Sequence, residues 1–325
     1  MHIHTVFTDG ELFPEEVVVY LTDRGFRRIT ITDHDSIRGL DKAREKAHSI
    51  GIEFLNGVEI TCLWREPGIG VHILGYGFDL NRFHNGVLGE YSREITAMWQ
   101  RRGETDIKKT QQSPIMIKKS GKEFPFFVTR EEILSESRGQ SLMPGNIVIA
   151  AAKKFQRITD INLGLFRLGR ILYAQKESDK KFFNDYIKKH HPDLRVCFGE
   201  RWRSPDNFEL YMDVEDIVRE IKAVGGLPVL AHPGELSFGQ EAALTESDVV
   251  QFKEKGIEGL EVYAPKNVGF IEELLTWCRQ YGLIVTGGSD WHGPGGYEDR
   301  KPGFYAPSRA IPDECWDAVI LRTGS

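Results

Sequence analysis

Two stretches of the chain alternate between short apolar runs and amphipathic segments. The first runs from His2 to about His84. FPEEVVVYLTDRG has Pro14 near a helix start and Gly25 as its stop. RRITITDHD reads as a β-branched strand that ends in polar residues. GLDKAREKAHSIG predicts a second helix closed by Gly51, and IEFLNGVEIT and GVHILGYGF predict two more strands. The rhythm resumes near Asp213. DVEDIVREIKAVGG predicts a helix with Asp213 as N-cap, and LPVLAHPG a strand running into a turn. SDVVQFKEKG with IEGLEVYAP, and FIEELLTWCRQYG with LIVTGGSDWHG, are further helix–strand pairs. IPDECWDAVILRTG closes the pattern as a helix. Such alternation predicts an α/β fold built on a parallel sheet with helical crossovers.

Between these stretches the rhythm breaks. NGVLGEYSREITAMWQRRG, TREEI (with Thr129 and Glu132 as a capping box), NIVIAAAKKF and KKFFNDYIKKHH all read as helices. No strand run of comparable strength lies among them. The expected organisation is a first barrel part at 1–84, a mainly helical insertion at 85–205 that binds substrate, and a second barrel part at 206–325.

A length of 325 residues suits one large α/β barrel with an insertion. The longest apolar runs, such as VVVYL, are far too short to cross a bilayer, so no membrane partner is expected. No basic-then-apolar leader opens the sequence. Cys62, Cys197, Cys278 and Cys315 are scattered and form no CxxC pair, which predicts reduced thiols and a cytoplasmic protein. The net charge of −6 hides an asymmetry. Residues 85–203 hold 23 Lys+Arg against 14 Asp+Glu, or +9, which leaves −15 for the remainder. A basic segment in an acidic chain suits an anionic partner, although solvated helix faces would look the same.

The histidines and acids change the picture most. His2 and His4 are two apart, so on a strand they share a face. Asp9 follows in a turn. His34 ends the second strand in TDHD, Glu59 lies in GVEIT, late in its strand, and His72 lies in GVHILGYG. His232 follows LPVL in AHPG, and Asp290 and His292 follow LIVT in GGSDWHG. In a βα barrel the C-terminal strand ends converge on one face. Nine imidazole and carboxylate candidates would gather there. His48, His84, His190 and His191 fall elsewhere and are given no role. A donor set without cysteine excludes a Cys-rich structural zinc site and fits catalytic manganese, zinc or iron. Nine ligands suit two or three divalent ions that share a bridging carboxylate. Three such ions bring +6 against −3 from Asp9, Glu59 and Asp290, so the site would attract phosphate. Bound metal can also lower the pKa of water from ~15.7 to about 7.

HIHTVFTDG, ITDHDS, GVEIT, HILGYGFD, LPVLAHPG and VTGGSDWHG, in this order, resemble the PHP superfamily of polymerase and histidinol phosphatase domains. HILGYG, AHP and GGSDWHG look most like its TrpH-like phosphoesterase branch. The resemblance covers about 1–80 and 213–300. It implies a distorted (β/α)7 TIM-like barrel with up to three metals. By motif, His2, His4, Glu59 and Asp290 would hold one ion. Glu59 would bridge to a second, held by His72 and His232, and Asp9, His34 and His292 would hold the third. The implied function is hydrolysis of nucleotide phosphate esters by a metal-bridged hydroxide, with no protein nucleophile. Substrates would be 3′,5′-nucleoside bisphosphates, or short single-stranded oligoribonucleotides trimmed 5′ to 3′. Alternatives are a small-metabolite phosphatase, such as one for histidinol phosphate, and a non-catalytic metal-stabilised module that binds nucleic acid. No obligate protein partner is expected.

Two departures from the family carry expectations. Only Met1 stands ahead of His2, so the first strand is expected to be short and the His2/His4 pair loosely held. LMPGNIVIAAAKK lacks the Arg and His of the branch's phosphate-binding helix start. Arg101, Arg102, Lys153 and Lys154 are the candidates to replace those contacts.

Overall fold

A computed structural model describes residues 1–112, 115–119, 122–159, 163–165, 171–174, 210–234, 244–295 and 300–324. The expected helix KKFFNDYIKKHH, together with His190, His191 and Cys197, lies outside these residues. The chain opens with α1 (Pro14–Thr22), β1 (Arg28–Ile31), α2 (Leu40–Ser49), β2 (Glu53–Trp64), β3 (Ile69–Tyr76) and α3 (Leu80–Asn85). Next come α4 (Val87–Gln112), the antiparallel pair β4 (Ile115–Lys119) and β5 (Lys122–Phe126), α5 (Arg130–Glu136) and α6 (Pro144–Thr159). A second antiparallel pair, β6 (Leu163–Leu165) and β7 (Ile171–Ala174), follows. The last part holds α7 (Val214–Ala223), β8 (Leu227–Leu230), α8 (Glu246–Glu254), β9 (Gly259–Tyr263), α9 (Ile271–Tyr281) and β10 (Ile284–Gly287). A small pair, β11 (Phe304–Ala306) and β12 (Arg309–Ala310), precedes the closing α10 (Glu314–Thr323). The apolar pattern does not predict the two short hairpins between α4 and residue 174.

Six strands form the central sheet in the order β1-β2-β3-β8-β9-β10. The expected all-parallel pairing fails at one strand, because β3 runs antiparallel to both β2 and β8. Only residues 65–68 separate β2 from β3, too few for a helical crossover. A link that short can make only a hairpin. As a result His72 enters from the first half of β3, opposite Thr61, and not from a C-terminal strand end.

The two sheet edges meet across residues 2–4. Ile3 forms a parallel bridge with Trp291, just beyond β10, and Thr32, just beyond β1, donates its N–H to the Ile3 carbonyl at 2.8 Å. His4 N–H donates to the Trp291 carbonyl at 2.9 Å. The first strand is therefore short, as expected, but the expected loose hold is wrong. His2 and His4 are fully buried and are tied to both edges of the sheet.

Helix patterning explains the outer layer. In α7, Val214, Ile217, Val218 and Ile221 recur at helical spacing and are buried against β2, β3 and β8. Each such side chain contributes about 1.5–3 kcal/mol on burial. Asp213 caps the helix by accepting the Glu215 N–H. The expected Thr129/Glu132 capping box starts α5. No helix among the described residues is long and apolar enough to cross a membrane.

Candidate metal centre

Glu59 is the hub of the site. It sits midway along β2 and is fully buried. Its Oε2 lies 3.2 Å from His2 Nε2, 3.3 Å from His4 Nε2 and 3.1 Å from His34 Nδ1. Its Oε1 lies 2.8 Å from His72 Nδ1 and 3.1 Å from His232 Nε2. One carboxylate thus divides five histidines between its two oxygens. Asp290 Oδ1 lies 3.4 Å from His2 Nε2 and 3.1 Å from His4 Nε2. Asp9 Oδ2 lies 3.3 Å from His292 Nε2 and 3.9 Å from His34 Nε2, and its Oδ1 lies 3.6 Å from His4 Nδ1. All nine side chains singled out in the sequence therefore come together. All are buried except His34, which keeps partial exposure and marks the open side.

Three overlapping groups have ligand atoms within 4.8 Å of one another: His2/His4/Glu59/Asp290, His4/Asp9/His34/His292 and His34/Glu59/His72. The grouping differs from the motif-based one in two respects. His4 and His34 each belong to two groups, and His232 faces Glu59 without entering any.

The donor geometry fits divalent ions. Two ligand atoms each about 2.1 Å from a tetrahedral ion lie roughly 3.4 Å apart, close to the spacings around Glu59 and Asp290. His2 Nε2, His4 Nδ1 and Glu59 Oε2 are buried yet make no hydrogen bond. Such orphans are costly unless an ion or a proton sits among them. The histidines are also aimed. His2 Nδ1–H donates to Glu261 Oε1 at 2.8 Å, which orients the ring so that Nε2 faces Glu59 and Asp290. His292 Nδ1–H donates to the Asp290 carbonyl at 2.8 Å, which turns Nε2 toward Asp9.

Backbone strain gathers at the same place. His2, His232 and Asp290 have φ of +61°, +29° and +48°, and Asp35, next to His34, has +49°. L-residues held there cost of order 1–3 kcal/mol each, so the surrounding structure must impose them. Gly288 shows how tight the fit is. A Cβ there would stand 2.2 Å from Glu261 Oε1 and 2.3 Å from His2 Cβ.

Neighbouring histidines are driven in opposite directions. Burial, with His292 and His34 close by, pushes His4 down to about 3. Burial also works against a charged His2, yet Glu261, Glu59 and Asp290 hold it well above the usual imidazole range. Burial alone would raise the carboxyls. His34, His2 and His72 instead hold Glu59 well below its usual range, and Arg300 and Lys266 do the same for Asp290.

Four contributors were not singled out in the sequence, three of them outside the quoted motifs and Asp33 inside ITDHDS. Glu261, on β9, is fully buried and accepts hydrogen bonds from the His2 ring and from the His232 backbone N–H, each at 2.8 Å. Arg300 bonds Asp290 Oδ2, and Lys266 Nζ lies 3.6 Å from the same oxygen. Together they turn Oδ1 toward His2 and His4. Asp33 accepts from Thr5 N, Thr5 Oγ1 and Thr8 Oγ1 at 2.6–2.7 Å and pins the loop that carries Asp9. Lone acids inside apolar runs, as in GLEVY, were the available signal. They belong to no ligand motif.

The expected basic contacts fare differently. Lys154 pairs with Glu132 at 2.8 Å, and Lys153 pairs with Glu136. Neither is held out for phosphate. Arg102 rests over the Trp99 ring, and Arg101 is exposed on α4. The start of α6 does reach the centre: Asn146 Nδ2 donates to the Thr8 carbonyl, next to Asp9, at 3.3 Å.

Comparison with known proteins agrees with this geometry. The chain is 24% identical over 313 residues to a 5′-3′ exoribonuclease of Haemophilus influenzae, spanning 96% of each. It is 26% identical to the phosphoribosyl 1,2-cyclic phosphate 1,2-diphosphodiesterase of Eggerthella lenta, covering 95% of this chain and 98% of that one. It is 25% identical to the 3′,5′-nucleoside bisphosphate phosphatase of Chromobacterium violaceum, covering 91% and 87%. In fold it is similar to a Bifidobacterium adolescentis chain assigned as a metal-dependent phosphoesterase, with a TM-score of 0.70, 23% identity and coverage of 99% and 94%. It is also similar to an amidohydrolase structure from Chromobacterium violaceum, with a TM-score of 0.65, 23% identity and coverage of 99% and 95%. Residues 1–124 match the PHP domain. That match takes in the stretch that carries His2, His4, Asp9, His34, Glu59 and His72, so the first part of the chain is similar to a PHP domain.

Proposed function

We propose that the protein is a metal-dependent phosphoesterase acting on phosphate esters of ribose, with 3′,5′-nucleoside bisphosphates and short oligoribonucleotides as substrates. The observation that carries this reading is Glu59, whose two oxygens face five histidines in a buried pocket also lined by Asp9, Asp290 and His292. The substrates of the three relatives support the ribose phosphate class, since their names specify RNA, a nucleoside bisphosphate and a phosphoribosyl cyclic phosphate. We read the fold as the distorted (β/α)7 barrel, with the segment from α4 onward as its substrate-binding insertion. Three buried free thiols, Cys62, Cys278 and Cys315, suit a reducing cytoplasm.

His2, His4, Glu59 and Asp290 would hold one ion, Glu59 with His72, His34 or His232 a second, and Asp9, His34, His292 and His4 a third. Manganese, zinc or iron bound there supplies Lewis acidity toward a phosphoryl oxygen and a nucleophile at neutral pH. The chain's own residues keep the donors aimed and dry. Glu261 fixes the His2 tautomer, Asp33 pins the Asp9 loop, and Arg300 with Lys266 orients Asp290. His34 lies at the open side, where a phosphate would enter.

A substrate panel with added manganese tests the reading. Phosphate release from 3′,5′-bisphosphates or mononucleotide release from oligoribonucleotides is expected, while histidinol phosphate should be a poor substrate. Preference for a cyclic ribose phosphodiester would move the protein toward the Eggerthella lenta activity. Failure of every phosphoester at every metal would reject the proposal.

A further inference from the structure

Beside the metal centre, but lined by none of its nine candidate ligands, lies a cavity of about 720 Å³. That falls within the roughly 300–1,000 Å³ typical of small-molecule sites. It opens between the start of α4 and the loop that follows β1. Asp35 and Ser36, directly after His34, form part of its wall, and Phe7, between His4 and Asp9, forms another. The cavity therefore shares two loops with the ligand set.

Basic side chains outnumber acidic ones along its wall. Arg38, Lys42 and Arg93 all line it. Arg38 donates to the Phe7 carbonyl at 3.0 Å and rests over the Phe7 ring at 4.8 Å. Arg93 donates to the His84 carbonyl at 3.1 Å. Neither guanidinium has a carboxylate within ion-pair distance among the described residues. Arg28, Arg44, Arg130, Arg138, Arg219 and Arg322 are paired with carboxylates, whereas Arg24 and Arg82, like Arg38 and Arg93, bond backbone carbonyls. Two acids also line the cavity, each with one oxygen engaged, while the second oxygen of Asp35 is buried without a hydrogen bond. Asp41 bonds Arg44 at 2.6 Å, and Asp35 is buried and takes the Thr61 N–H at 2.8 Å. Two guanidiniums without a carboxylate partner, an aromatic ring and an apolar floor that includes Leu80 and Ala97 match a phosphate joined to a flat, hydrogen-bonding base.

We propose that this cavity binds the nucleotide unit adjoining the one whose ester is hydrolysed. Arg38 and Arg93 hold its phosphodiester, and the base lies along the Phe7 side. The inference rests on the proposed nucleotide activity and adds where the rest of an oligonucleotide goes. It also gives a role to basic residues outside the Lys153/Lys154 region, where cations are engaged in ion pairs.

The test is equilibrium binding to the metal-loaded protein of two fluorescent probes, a phosphorothioate trinucleotide that resists hydrolysis and a mononucleotide. Tighter binding of the trinucleotide is expected for the unaltered chain. In R38A/R93A the ratio of trinucleotide to mononucleotide affinity should fall about tenfold. The plot of log affinity against log salt should become shallower by about 0.7 for each phosphate that is no longer neutralised. R93A alone should show a smaller shift of the same sign. Equal affinity for both probes in the unaltered chain, or equal losses for both in the variants, would overturn the assignment. Binding does not require turnover, so the two readings fail separately. Hydrolysis without an effect of these arginines removes the cavity site, and arginine-dependent binding without hydrolysis removes the proposed activity.

Discussion

Asp9, Glu59 and Asp290 are buried among six histidines at the joined edges of the sheet, whereas Glu132 and Glu136 on α5 meet Lys154, Arg157 and Lys153 near the surface. The chemical groups are similar and their uses are opposite. In the first region acids and imidazoles are held close, dehydrated and partly without hydrogen bonds, which is stable only with a cation between them. In the second, each acid has a cationic partner, and solvent-exposed pairs of this kind contribute about 0–1 kcal/mol. A count of basic residues therefore does not separate lysines already in ion pairs from those that are not. What separates a binding group from a solvated one is whether its charge already has a partner.

Glu59→Gln should break this contrast most severely. It keeps the shape of the hub but removes the charge shared by five histidines. Turnover should fall by more than about a hundredfold, with lower metal content and little change in far-UV circular dichroism. Gly288→Ala should come next. Its Cβ has no room beside His2 and Glu261, so metal affinity measured by calorimetry should drop roughly 10–100-fold, together with the melting temperature. Glu261→Gln should cost about tenfold in metal affinity by loosening the His2 tautomer, with no loss of fold.

A smaller effect should come from pH. His2 is raised in the ion-free protein, so a metal must displace its proton. Metal affinity should fall as pH drops through that raised value, with proton release seen as a buffer-dependent calorimetric heat. The linked stability has the opposite sense. Without metal, the stabilisation from charged His2 is full below the unfolded imidazole pKa of about 6.5 and is lost as pH rises through the raised folded value. The smallest effect belongs to Lys154→Ala. It should shift stability by no more than about 0.5–1 kcal/mol and leave oligonucleotide affinity unaltered, because Lys154 is engaged with Glu132.

Most of the site could be read from the sequence because its residues come in compact motifs. His2 with His4, and Asp290 with His292, are spaced so that one turn or strand presents both. Helix limits were also legible at Pro14, Asp213 and the Thr129/Glu132 box, where local hydrogen bonding decides the start. The direction of β3 was not legible, since an apolar run looks the same either way. Only the four-residue link after β2 could have revealed the hairpin. Glu261 stayed hidden because it acts on His2, far away in sequence, and Arg300 and Lys266 because neither falls at a fixed spacing within a motif with Asp290. Cooperation of that kind leaves no local spacing to detect. The same holds for Arg38 and Arg93, which share a cavity only after α4 packs beside the β1 loop.

Elemental analysis of the purified protein after manganese loading, run beside Glu59→Gln, tests the central claim most directly. Two or three tightly held divalent ions per chain are expected, with at least one missing from the variant. Fewer than one ion per chain in the unaltered protein, or equal content in both, would contradict a metal cluster organised by Glu59.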